Sequence, residues 1–530
     1  MNAELTAQEP SAKYLAALQP PLVQHFDLIA QAPGGVARLR ELIFQIASTG
    51  HLLETREDVV PSRLDTVSEF VMGQAPPGAE CNQIGQGTIF VKTGEFGRLF
   101  PEVREWTTKP LKLARQGDVL ICVVGATIGK LNLAIDCAIG RSVAAIRPNE
   151  CLDTKYLYYM LMPFTWALRR ESRGSAQGVI GKSELGKVTI RVPSRQEQSR
   201  VVTRVEELMQ LCDALEASGQ LEAQQHAQLV STLLGTLTQS ETPEALADNW
   251  QRIATHFDLL LDRPEAVDAL EQTILQLAVR GLLVPQDPTD EPASVLLQKI
   301  RTEKDHLIAQ GKIKRDKPLA EIADEEKPFE LPHGWVWCPL GEAIDIIRGI
   351  TFPASEKTKE PAPGRIACLR TANVQSEIEW GDLLFVDRSF MARAEQVVQP
   401  GDIVMSMANS RELVGKVALV HEIPHPEATF GGFLGVLRPW LSNPQYAMAF
   451  LRTRHARDTL IDSSSQTTNI ANISLTKLRP LAFPLPPLAE QSRIVTRVEE
   501  LRALCADLRE KIKEQQSKAS NLAEALIEGG

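Results

Sequence analysis

The sequence predicts an α+β fold in which two β-rich domains are separated by a long antiparallel coiled coil, with the two halves of the chain related as an internal pseudo-twofold repeat. The first observation behind this prediction is that EQSRVVTRVEEL at 197–208 recurs as EQSRIVTRVEEL at 490–501. The second is that HFDL at 25–28 recurs at 256–259, ahead of a similar helical pattern. A surface that is duplicated in two halves of one chain most simply binds the same partner twice.

Each half begins with a helical segment and continues into a β-rich region. Residues 34–50 have the periodicity of an amphipathic helix that ends at Gly50. From Val60 to about Val192, short apolar stretches such as GTIFVKTG and GDVLICVVG alternate with Gly and Pro, which is typical of strands and turns. A helical stretch at 152–170 interrupts these strands.

A long helix follows each β-rich region, at 195–238 and again at the C-terminal end. In both helices, apolar residues recur at alternating spacings of four and three, which is typical of a coiled-coil seam. The seam positions are Val201, Val205, Leu208, Cys212 and Leu215 in the first helix and Ile494, Val498, Leu501, Cys505, Leu508 and Ile512 in the second. Two matched seams favour pairing of the helices with each other, and packing of each seam on a globular domain is the alternative.

Length and repeat boundaries predict six segments. They are an N-terminal helical region at 1–58, the first β-rich domain at 59–192, the first long helix at 193–240, a central helical region and linker at 241–334, the second β-rich domain at 335–487 and the second long helix at 488–530.

Composition narrows the class of protein. The formal net charge is −10, but residues 61–190 carry 16 Lys and Arg against 12 Asp and Glu, so nucleic acid, if bound, should meet the β-rich regions. The eight cysteines include no Cys-x-x-Cys, which argues against a zinc site or a disulfide framework. No apolar run approaches a membrane span and the N-terminus lacks a signal-peptide core, so we expect a cytoplasmic protein.

The order of duplicated helices around two divergent regions resembles the specificity subunit of type I restriction-modification enzymes. Four stretches carry the resemblance: VTIRVPSRQEQSRVV at 188–202, ASVLLQKIRTEKDHLIAQGKIKRDKP at 293–318, PFELPHGWVWCPLGEAIDIIRGITF at 328–352 and SSQTTNIANISLTKLRPLAFPLPPLAEQSRIV at 464–495. The resemblance implies two target-recognition domains that each read one half of an asymmetric bipartite site on double-stranded DNA. It further implies that the long helices set the spacer between the half-sites.

The resemblance also implies partners and a division of labour. Two modification (methyltransferase) subunits and the restriction (helicase-nuclease) subunits would dock on a chain that is not itself catalytic. The duplicated string supplies the candidate docking residues, which are Arg200, Arg204, Glu207, Arg493, Arg497 and Glu500. We expect no metal or cofactor on this chain, with S-adenosylmethionine, ATP and Mg²⁺ on the partner subunits.

Candidate DNA-binding residues come from corresponding places in the two domains. Arg or Lys suits guanine and Asn or Gln suits adenine, whereas phosphate contact is favoured over base contact for any one candidate. The candidates are Lys92, Thr93, Lys130, Arg169, Arg170, Arg173, Gln177 and Lys182 in the first domain and Arg370, Thr371, Asn373, Lys416, Arg452, Arg454, Arg457, Gln466, Thr467 and Asn469 in the second. The alternative for each is a solvated surface residue or a turn-stabilising one. Glu95 stands where the second domain has Asn373, which fits a different half-site or a wrong alignment.

Two motifs of enzymes are present in weak form. AQGVIGKS at 176–183 approximates a nucleotide-binding P-loop, but that loop needs a strand before it and a helix after it, whereas ALRRESRGS precedes and the strand-like KVTIRVP follows. NPQY at 443–446 is similar to the Asn-Pro-Pro-Tyr of amino-methyltransferases, but it more simply opens the helix QYAMAFLRTRHARDTL. The alternative function is a non-enzymatic scaffold that binds protein partners through its β-rich domains.

Overall fold

The computed structural model divides into two units that follow the sequence repeat. Unit 1 is formed by residues 1–224 and 514–530, and unit 2 by residues 225–513. The structure describes residues 32–53, 55–172, 179–240, 242–315, 317–462, 465–467 and 470–528. Each unit therefore contains one β-rich region and a segment of each long helix.

Unit 1 contains five helices among its described residues before the chain enters unit 2. They are α1 (Gly35–Thr49), α2 (Leu64–Val67), α3 (Thr154–Ser172), α4 (Lys182–Lys187) and the 44-residue α5 (Arg195–Thr238), which continues into unit 2. The strands are β1 (Ser62–Arg63), β2 (Ser68–Met72), β3 (Cys81–Asn82), β4 (Thr88–Val91), β5 (Trp106–Thr107), β6 (Leu113–Ala114), β7 (Val119–Cys122), β8 (Leu131–Leu133), β9 (Cys137–Ile139), β10 (Val143–Pro148) and β11 (Thr189–Ile190).

Unit 2 begins with central helices and ends in the second long helix. Its helices are α6 (Pro243–Thr255), α7 (Phe257–Leu260), α8 (Pro264–Val279), α9 (Ala293–Ala309), α10 (Leu340–Ala343), α11 (Pro444–Leu451), α12 (Arg454–Asp462), α13 (Leu475–Leu478) and α14 (Leu488–Glu528), whose end lies in unit 1. The strands are β12 (Val336–Pro339), β13 (Ile344–Arg348), β14 (Arg365–Leu369), β15 (Leu384–Asp387), β16 (Ile403–Ser406), β17 (Ala408–Asn409), β18 (Val417–Leu419), β19 (Ala428–Phe430), β20 (Leu434–Pro439), β21 (Ser465–Thr467), β22 (Ile470–Asn472) and β23 (Ala482–Leu485).

The sheet topology of unit 1 recurs in unit 2. The antiparallel sheet β2-β10-β7-β8 has its counterpart in β13-β20-β16-β18. The parallel pair β4-β9, with β5 antiparallel beside β4, has its counterpart in β14-β19 with β15 beside β14. The two-stranded pairs β1-β11 and β12-β23 complete the repeat. The prediction of an α+β fold with an internal repeat is confirmed.

A buried ion pair recurs in the four-stranded sheet of each unit. In unit 1, Arg147 Nη2 lies 2.9 Å from Asp118 Oδ2, and in unit 2 Arg438 Nη2 lies 2.8 Å from Asp402 Oδ2. The side chains of Asp118 and Asp402 are each 1% exposed. A carboxylate buried to this extent requires a paired cation, so the two residues are retained together in both units.

Gln198, the second residue of the first duplicated string, is fully buried and joins α5 to the β-rich domain of unit 1. Its Oε1 accepts from the backbone N–H of Asp153 at 2.7 Å, just before α3. Its Nε2 donates to the carbonyls of Cys151 and Pro193, both at 2.8 Å. One side chain thus fixes the start of the long helix to two loops.

Gln491 makes the corresponding contacts in unit 2. It is fully buried, its Oε1 accepts from the N–H of Asn443 at 2.8 Å just before α11, and its Nε2 donates to the carbonyl of Pro486 at 3.0 Å. The preceding residue, Glu490, is 1% exposed and accepts from Trp335 Nε1 at 2.9 Å. In unit 2, the first two residues of the duplicated string therefore serve the fold.

The predicted seams are buried in the cores of their units. In unit 1, Val201, Val205 and Leu208 share a core with residues of α1 and α3, and Ala523 of α14 joins the same core. In unit 2, Ile494 and the later α14 seam residues share a core that also contains the end of α5, at Val230, Leu234 and Leu237. Each seam therefore packs on its own unit, the alternative that the sequence left open, and a segment of the other long helix packs there too. The part of α5 after residue 224 belongs to unit 2, and the part of α14 after residue 513 belongs to unit 1.

The cysteines at the matching seam positions are apolar core residues. Cys212 is 1% exposed and Cys505 is 3% exposed. Burial raises the pKa of the Cys212 thiol to about 11, so it stays protonated at neutral pH. The prediction that these two cysteines are small seam residues is confirmed.

An ion pair between the long helix and its neighbouring helix occurs in both units with the charges exchanged. In unit 1, Arg40 of α1 lies 2.7 Å from Glu216 of α5. In unit 2, Glu271 of α8 accepts from Arg509 of α14. The sequence repeat aligns Arg40 with Glu271 and Glu216 with Arg509. A pairing of α1 with α14, or of α8 with α5, at these positions would bring like charges together, which disfavours it.

Two local predictions are wrong. The stretch predicted as one helix after Pro444 forms α11 and α12, because Thr453 accepts from the N–H of Ala456 at 3.3 Å and starts a new helix. The motif AQGVIGKS is followed directly by α4, since Glu184 accepts from the N–H of Gly181 at 2.8 Å, and the strand-like KVTIRVP contains β11 only after this helix. The P-loop context is still not met, because the element before residues 173–178 is helix α3 rather than a strand.

We predict that Gln491→Ala destabilises unit 2, because it leaves the buried N–H of Asn443 and the carbonyl of Pro486 unpaired. Each unpaired buried group costs about 1–3 kcal/mol. Hydrogen exchange followed by mass spectrometry on the full chain should show faster exchange around Asn443 in this variant. Gln198→Ala should instead speed exchange around Asp153.

Ser492→Ala is the matched control, because Ser492 is the next residue of the string and is exposed. It should leave both regions as protected as in the wild type. Equal protection at Asn443 in Gln491→Ala and the wild type would contradict the role given to this side chain.

Candidate nucleic-acid interface

A short 3-10 turn, Thr371–Asn373, follows the central strand β14 of the second domain. Asn373 is 2% exposed, and its Oδ1 accepts from the N–H of Arg370 at 2.9 Å. Its Nδ2 donates to the carbonyls of Glu379 and Asp382, at 2.9 and 3.2 Å. The amide of Asn373 is thus engaged within the loop and positions Arg370.

The first domain has the same turn, Thr93–Glu95, after β4. Glu95 is 8% exposed, and its Oε2 accepts from the N–H of Lys92 at 2.8 Å. Glu95 and Asn373 therefore cap equivalent turns, which explains why the alignment of Lys92-Thr93 with Arg370-Thr371 holds although residue 95 is not Asn.

A carboxylate holds the basic residue of each turn. Arg370 Nη2 donates to both the carbonyl and the Oδ2 of Asp382, each at 2.7 Å, and its side chain is 33% exposed. The Arg370 guanidinium lowers the pKa of Asp382. Lys92 pairs in the same way with Glu105, which raises the pKa of Lys92. Glu105 precedes β5 and Asp382 precedes β15, and each of these strands is the antiparallel neighbour of the strand before the turn. The two domains therefore hold the basic residue of the turn with a carboxylate from the same place in the fold.

The glycine-lysine turns predicted to correspond also do so in the structure. Gly129 and Gly415 have φ values of +75° and +78°, a conformation that favours glycine. Lys130 is exposed, whereas Lys416 is half-buried and donates to Gln375 Oε1 at 3.3 Å. Gln375 belongs to the loop that follows the Arg370 turn, so the structure brings Lys416 close to that turn.

Arginines that precede the candidate segments at 173–182 and 464–472 in the sequence contact these turns. Arg169 Nη2 donates to the carbonyl of Gly129 at 2.9 Å, and Arg452 Nη2 donates to the carbonyl of Ser376 at 2.6 Å. Burial lowers the pKa of Arg452 to about 10. Arg457 donates to the carbonyl of Glu412. These guanidiniums are placed to hold loops in shape, and they keep positive charge beneath the candidate surface.

The remaining candidates divide into exposed residues and residues that are not described. Arg454 and Lys182 are exposed, Lys182 as the first residue of α4. Thr93 and Thr371 are half-buried in their turns. Arg173, Gln177 and Asn469 lie outside the described residues, and the side chains of Arg170, Gln466 and Thr467 lie outside the described ones as well.

Arg141 is an exposed basic residue that the sequence reasoning missed. It lies between β9 and β10, and the adjacent Gly140 N–H donates to the carbonyl of Val91 at 3.0 Å, directly before Lys92. The sequence does indicate a turn at Arg141, because the polar residues Gly-Arg-Ser separate two apolar strands. The sequence pattern does not indicate that Arg141 lies close to Lys92, because β4 and β9 pair across more than 40 residues of sequence.

The later residues of the duplicated string form a polar strip of exposed and half-buried residues on each long helix, which we call the docking strip. Its members are Ser199, Arg200, Thr203, Arg204 and Glu207 in unit 1 and Ser492, Arg493, Thr496, Arg497 and Glu500 in unit 2. Arg204 pairs with Glu207 at 3.0 Å and Arg497 with Glu500 at 2.8 Å. In unit 2, the strip and Val284 line an open groove of about 420 Å³. Arg493 is held there by Asp290 at 2.6 Å.

Other kinds of site receive no support from the described part of the chain. No group of three or more His, Cys, Asp or Glu side chains there could hold a metal ion. None of the helices described is both long and apolar enough to cross a membrane. Asn443 of the NPQY motif accepts from the N–H of Gln445 at 2.9 Å and so caps α11.

The profile of the family described as type I restriction modification DNA specificity domain matches residues 56–224 and 332–515. The chain belongs to this family. The type I restriction enzyme EcoAI specificity subunit of Escherichia coli is 39% identical over 345 residues, which are 63% of the chain and 57% of the relative. The EcoEI specificity subunit of Escherichia coli is 36% identical over 365 residues, 67% of the chain and 60% of the relative. The chain thus spans less than two thirds of either relative.

A solved structure of a type I R-M system contains a chain of similar fold. Its TM-score is 0.50 at 18% identity, and the similarity covers 90% of this chain and 98% of that one. At this identity the likeness supports the fold alone. Together with the family match, it agrees with two specificity domains joined by a long helix, as the sequence predicted.

We predict that Asp382→Asn raises the affinity of the protein for non-specific duplex DNA. The substitution frees Arg370 from its carboxylate partner and removes a negative charge beside it. An exposed ion pair of this kind corresponds to a change of up to about fivefold in affinity. Titration of a random-sequence duplex at fixed salt measures the effect.

Glu379→Gln provides the control, since it removes one negative charge from the same loop while the contact of Glu379 with Asn373 is through its backbone carbonyl. An equal gain from Asp382→Asn and Glu379→Gln would mean that net charge alone acts, and that Asp382 does not hold Arg370 away from DNA.

Proposed function

We propose that the chain is the DNA-sequence specificity subunit of a type I restriction-modification complex and recognises an asymmetric bipartite site on double-stranded DNA, one half per β-rich domain. One observation carries the proposal: two domains of the same topology present different side chains at equivalent turns, while their long helices present the same docking strip. Different turns suit two half-sites, and identical strips suit two copies of one partner.

The turns have the chemistry that base recognition requires. Arg370 carries a planar guanidinium that matches the acceptor pair of guanine in the major groove, whereas Lys92 offers a point charge. Both residues are placed by a buried cap, Asn373 or Glu95, and a rigid platform is what discrimination between bases needs. The braced arginines beneath add the positive charge that attracts phosphates.

In this proposal the chain supplies recognition and its partners supply the chemistry. Two modification subunits, which are methyltransferases, bind the docking strips, and restriction subunits, which are helicase-nucleases, join the complex. S-adenosylmethionine, ATP and Mg²⁺ are then bound by those partners, and the complex acts in the cytoplasm. The chain itself performs no catalytic step.

We predict that Arg370→Ala relaxes the second half-site and leaves the first intact. A bidentate contact between arginine and guanine is worth about 1–3 kcal/mol of discrimination, or roughly tenfold or more. Genome-wide mapping of methylated bases in cells that contain the whole complex measures both halves at once. Lys92→Ala is the matched variant and should relax only the first half-site.

Relaxation of both halves by Arg370→Ala, or of neither, would contradict independent reading by the two domains. A scaffold for protein ligands would show no sequence preference and no steep fall of duplex affinity with salt, whereas neutralisation of phosphates gives such a fall.

We predict that Thr203→Arg and Thr496→Arg each remove one modification subunit from the complex. Both threonines are exposed members of the docking strip, so a long charged side chain obstructs a partner without disturbing the core. Native mass spectrometry should find two modification subunits on the wild type, one on each single variant and none on the double variant.

Ser218→Arg, at an exposed position of α5 outside the duplicated string, should leave the count at two. A wild-type complex with one modification subunit, or single variants that retain two, would show that the strips are not the docking sites.

A further inference from the structure

The loop between β19 and β20 lies between the two parts of the second domain for which DNA contact is proposed. The N–H of Gly431 donates to the carbonyl of Leu369 at 3.0 Å, directly before Arg370. On its other side, the carbonyl of Phe433 accepts from the N–H groups of Met407 and Ala408, at 2.8 and 3.3 Å. Ala408 is in β17, which pairs with β22 of the candidate loop at 464–472. The loop therefore connects the Arg370 turn to the candidate loop.

Phe433 is 68% exposed in this loop, whereas the apolar residues on either side of the loop are core residues. Phe430 is fully buried and Leu434 is 2% exposed. Single exposed apolar residues are common, so exposure by itself carries no argument. The position does, because Phe433 belongs to a loop whose backbone bonds to both elements that are expected to meet DNA. Arg348, opposite Gly435 across β13 and β20, is exposed as well.

The first domain has the same backbone at this place with different side chains. Gly140 N–H donates to the carbonyl of Val91 at 3.0 Å, as Gly431 does to Leu369, and the carbonyl of Ser142 accepts from Val123 at 2.9 Å, as that of Phe433 does from Met407. Gly-Arg-Ser at 140–142 therefore corresponds to Gly-Gly-Phe at 431–433.

The shape of this loop is fixed by close backbone contacts. A Cβ atom on Gly73 would lie 2.2 Å from the carbonyl oxygen of Gly140, and one on Gly349 would lie 2.2 Å from that of Gly431. No side chain fits at either place, so both domains keep glycine there and the strand passes close to the loop. The loop thus keeps the same backbone in both domains while the residues at 141–142 and 432–433 differ. An element that distinguishes two half-sites needs this combination.

We propose that Phe433 is a specificity-determining residue that packs against the 5-methyl group of a thymine in the half-site read by the second domain. The inference rests on the proposed function. A phenylalanine ring has no donor or acceptor, and apolar contact with the thymine methyl is the base-edge contact open to it in the major groove. The first domain presents the guanidinium of Arg141 from the same loop, which suits a hydrogen-bonding contact, so the two half-sites are read differently at this point.

The test uses the complete complex of the chain with its modification subunits and a duplex that contains its site. Each thymine of the second half-site is replaced in turn by deoxyuridine, which lacks the methyl group. Wild-type complex should bind one of these duplexes about fourfold more weakly, the effect of exposing one methyl group. In Phe433→Ala, the duplexes with thymine and deoxyuridine at that position should bind equally, whereas Phe433→Leu should retain part of the difference.

Ser142→Ala, at the corresponding place in the first domain, is the control and should leave every thymine effect of the second half-site unchanged. A second half-site without thymine, or a thymine effect that persists in Phe433→Ala, would overturn the inference. So would a uniform loss of affinity for all duplexes in Phe433→Ala, which indicates a ring inserted between bases instead. A wild-type complex with no sequence preference would overturn the proposed function, and this inference with it.

Discussion

The hydrogen bonds of Gln198 and Gln491 are the constraint on which the rest of the molecule depends. Each side chain is fully buried at the start of a long helix and pairs with the backbone of a loop from the β-rich domain. Because an unpaired buried amide costs free energy, these hydrogen bonds hold the start of each long helix to its own domain. The docking strip begins directly after this glutamine, so the same contact holds the start of the strip to the β-rich domain.

Within each domain, the residues that differ between the two halves of the chain are separate from the residues that both halves retain. The ion pairs of Arg147 with Asp118 and of Arg438 with Asp402 keep the four-stranded sheet the same, and the exchanged charges of Arg40 and Glu271 keep each long helix with its own neighbour. The side chains of the turns, such as Lys92 in one domain and Arg370 in the other, differ without a change in this framework. In the proposed function, a change of these side chains alters the half-site that is read and leaves the docking strip as it was.

The carboxylates beside Lys92 and Arg370 have a consequence for selectivity. A cation that is already paired gains less from a phosphate than a free one, because the existing pair must first be broken. The paired cation gains the most free energy of binding where a base edge takes the place of the carboxylate and accepts hydrogen bonds with good geometry. If Lys92 and Arg370 contact bases as proposed, this pairing weakens general attraction to DNA more than it weakens recognition of the correct base, and a protein that searches many sites needs that difference.

The sequence by itself determined what depends on local periodicity and on the repeat: α1 up to Gly50, the two long helices, the corresponding turns at Lys92 and Arg370, and the family. Tertiary structure alone decided which polar residues turn inward. Glu490 and Gln491 are buried by contacts with Trp335 and Asn443, which are 155 and 48 residues away along the chain. Arg452 likewise turns to the carbonyl of Ser376, 76 residues away, and strand pairing brings the loop that contains Phe433 to the carbonyl of Leu369, directly before Arg370. The sequence shows which hydrogen bonds each side chain can make and how apolar it is. Only the folded chain decides which distant group lies close enough to form those contacts.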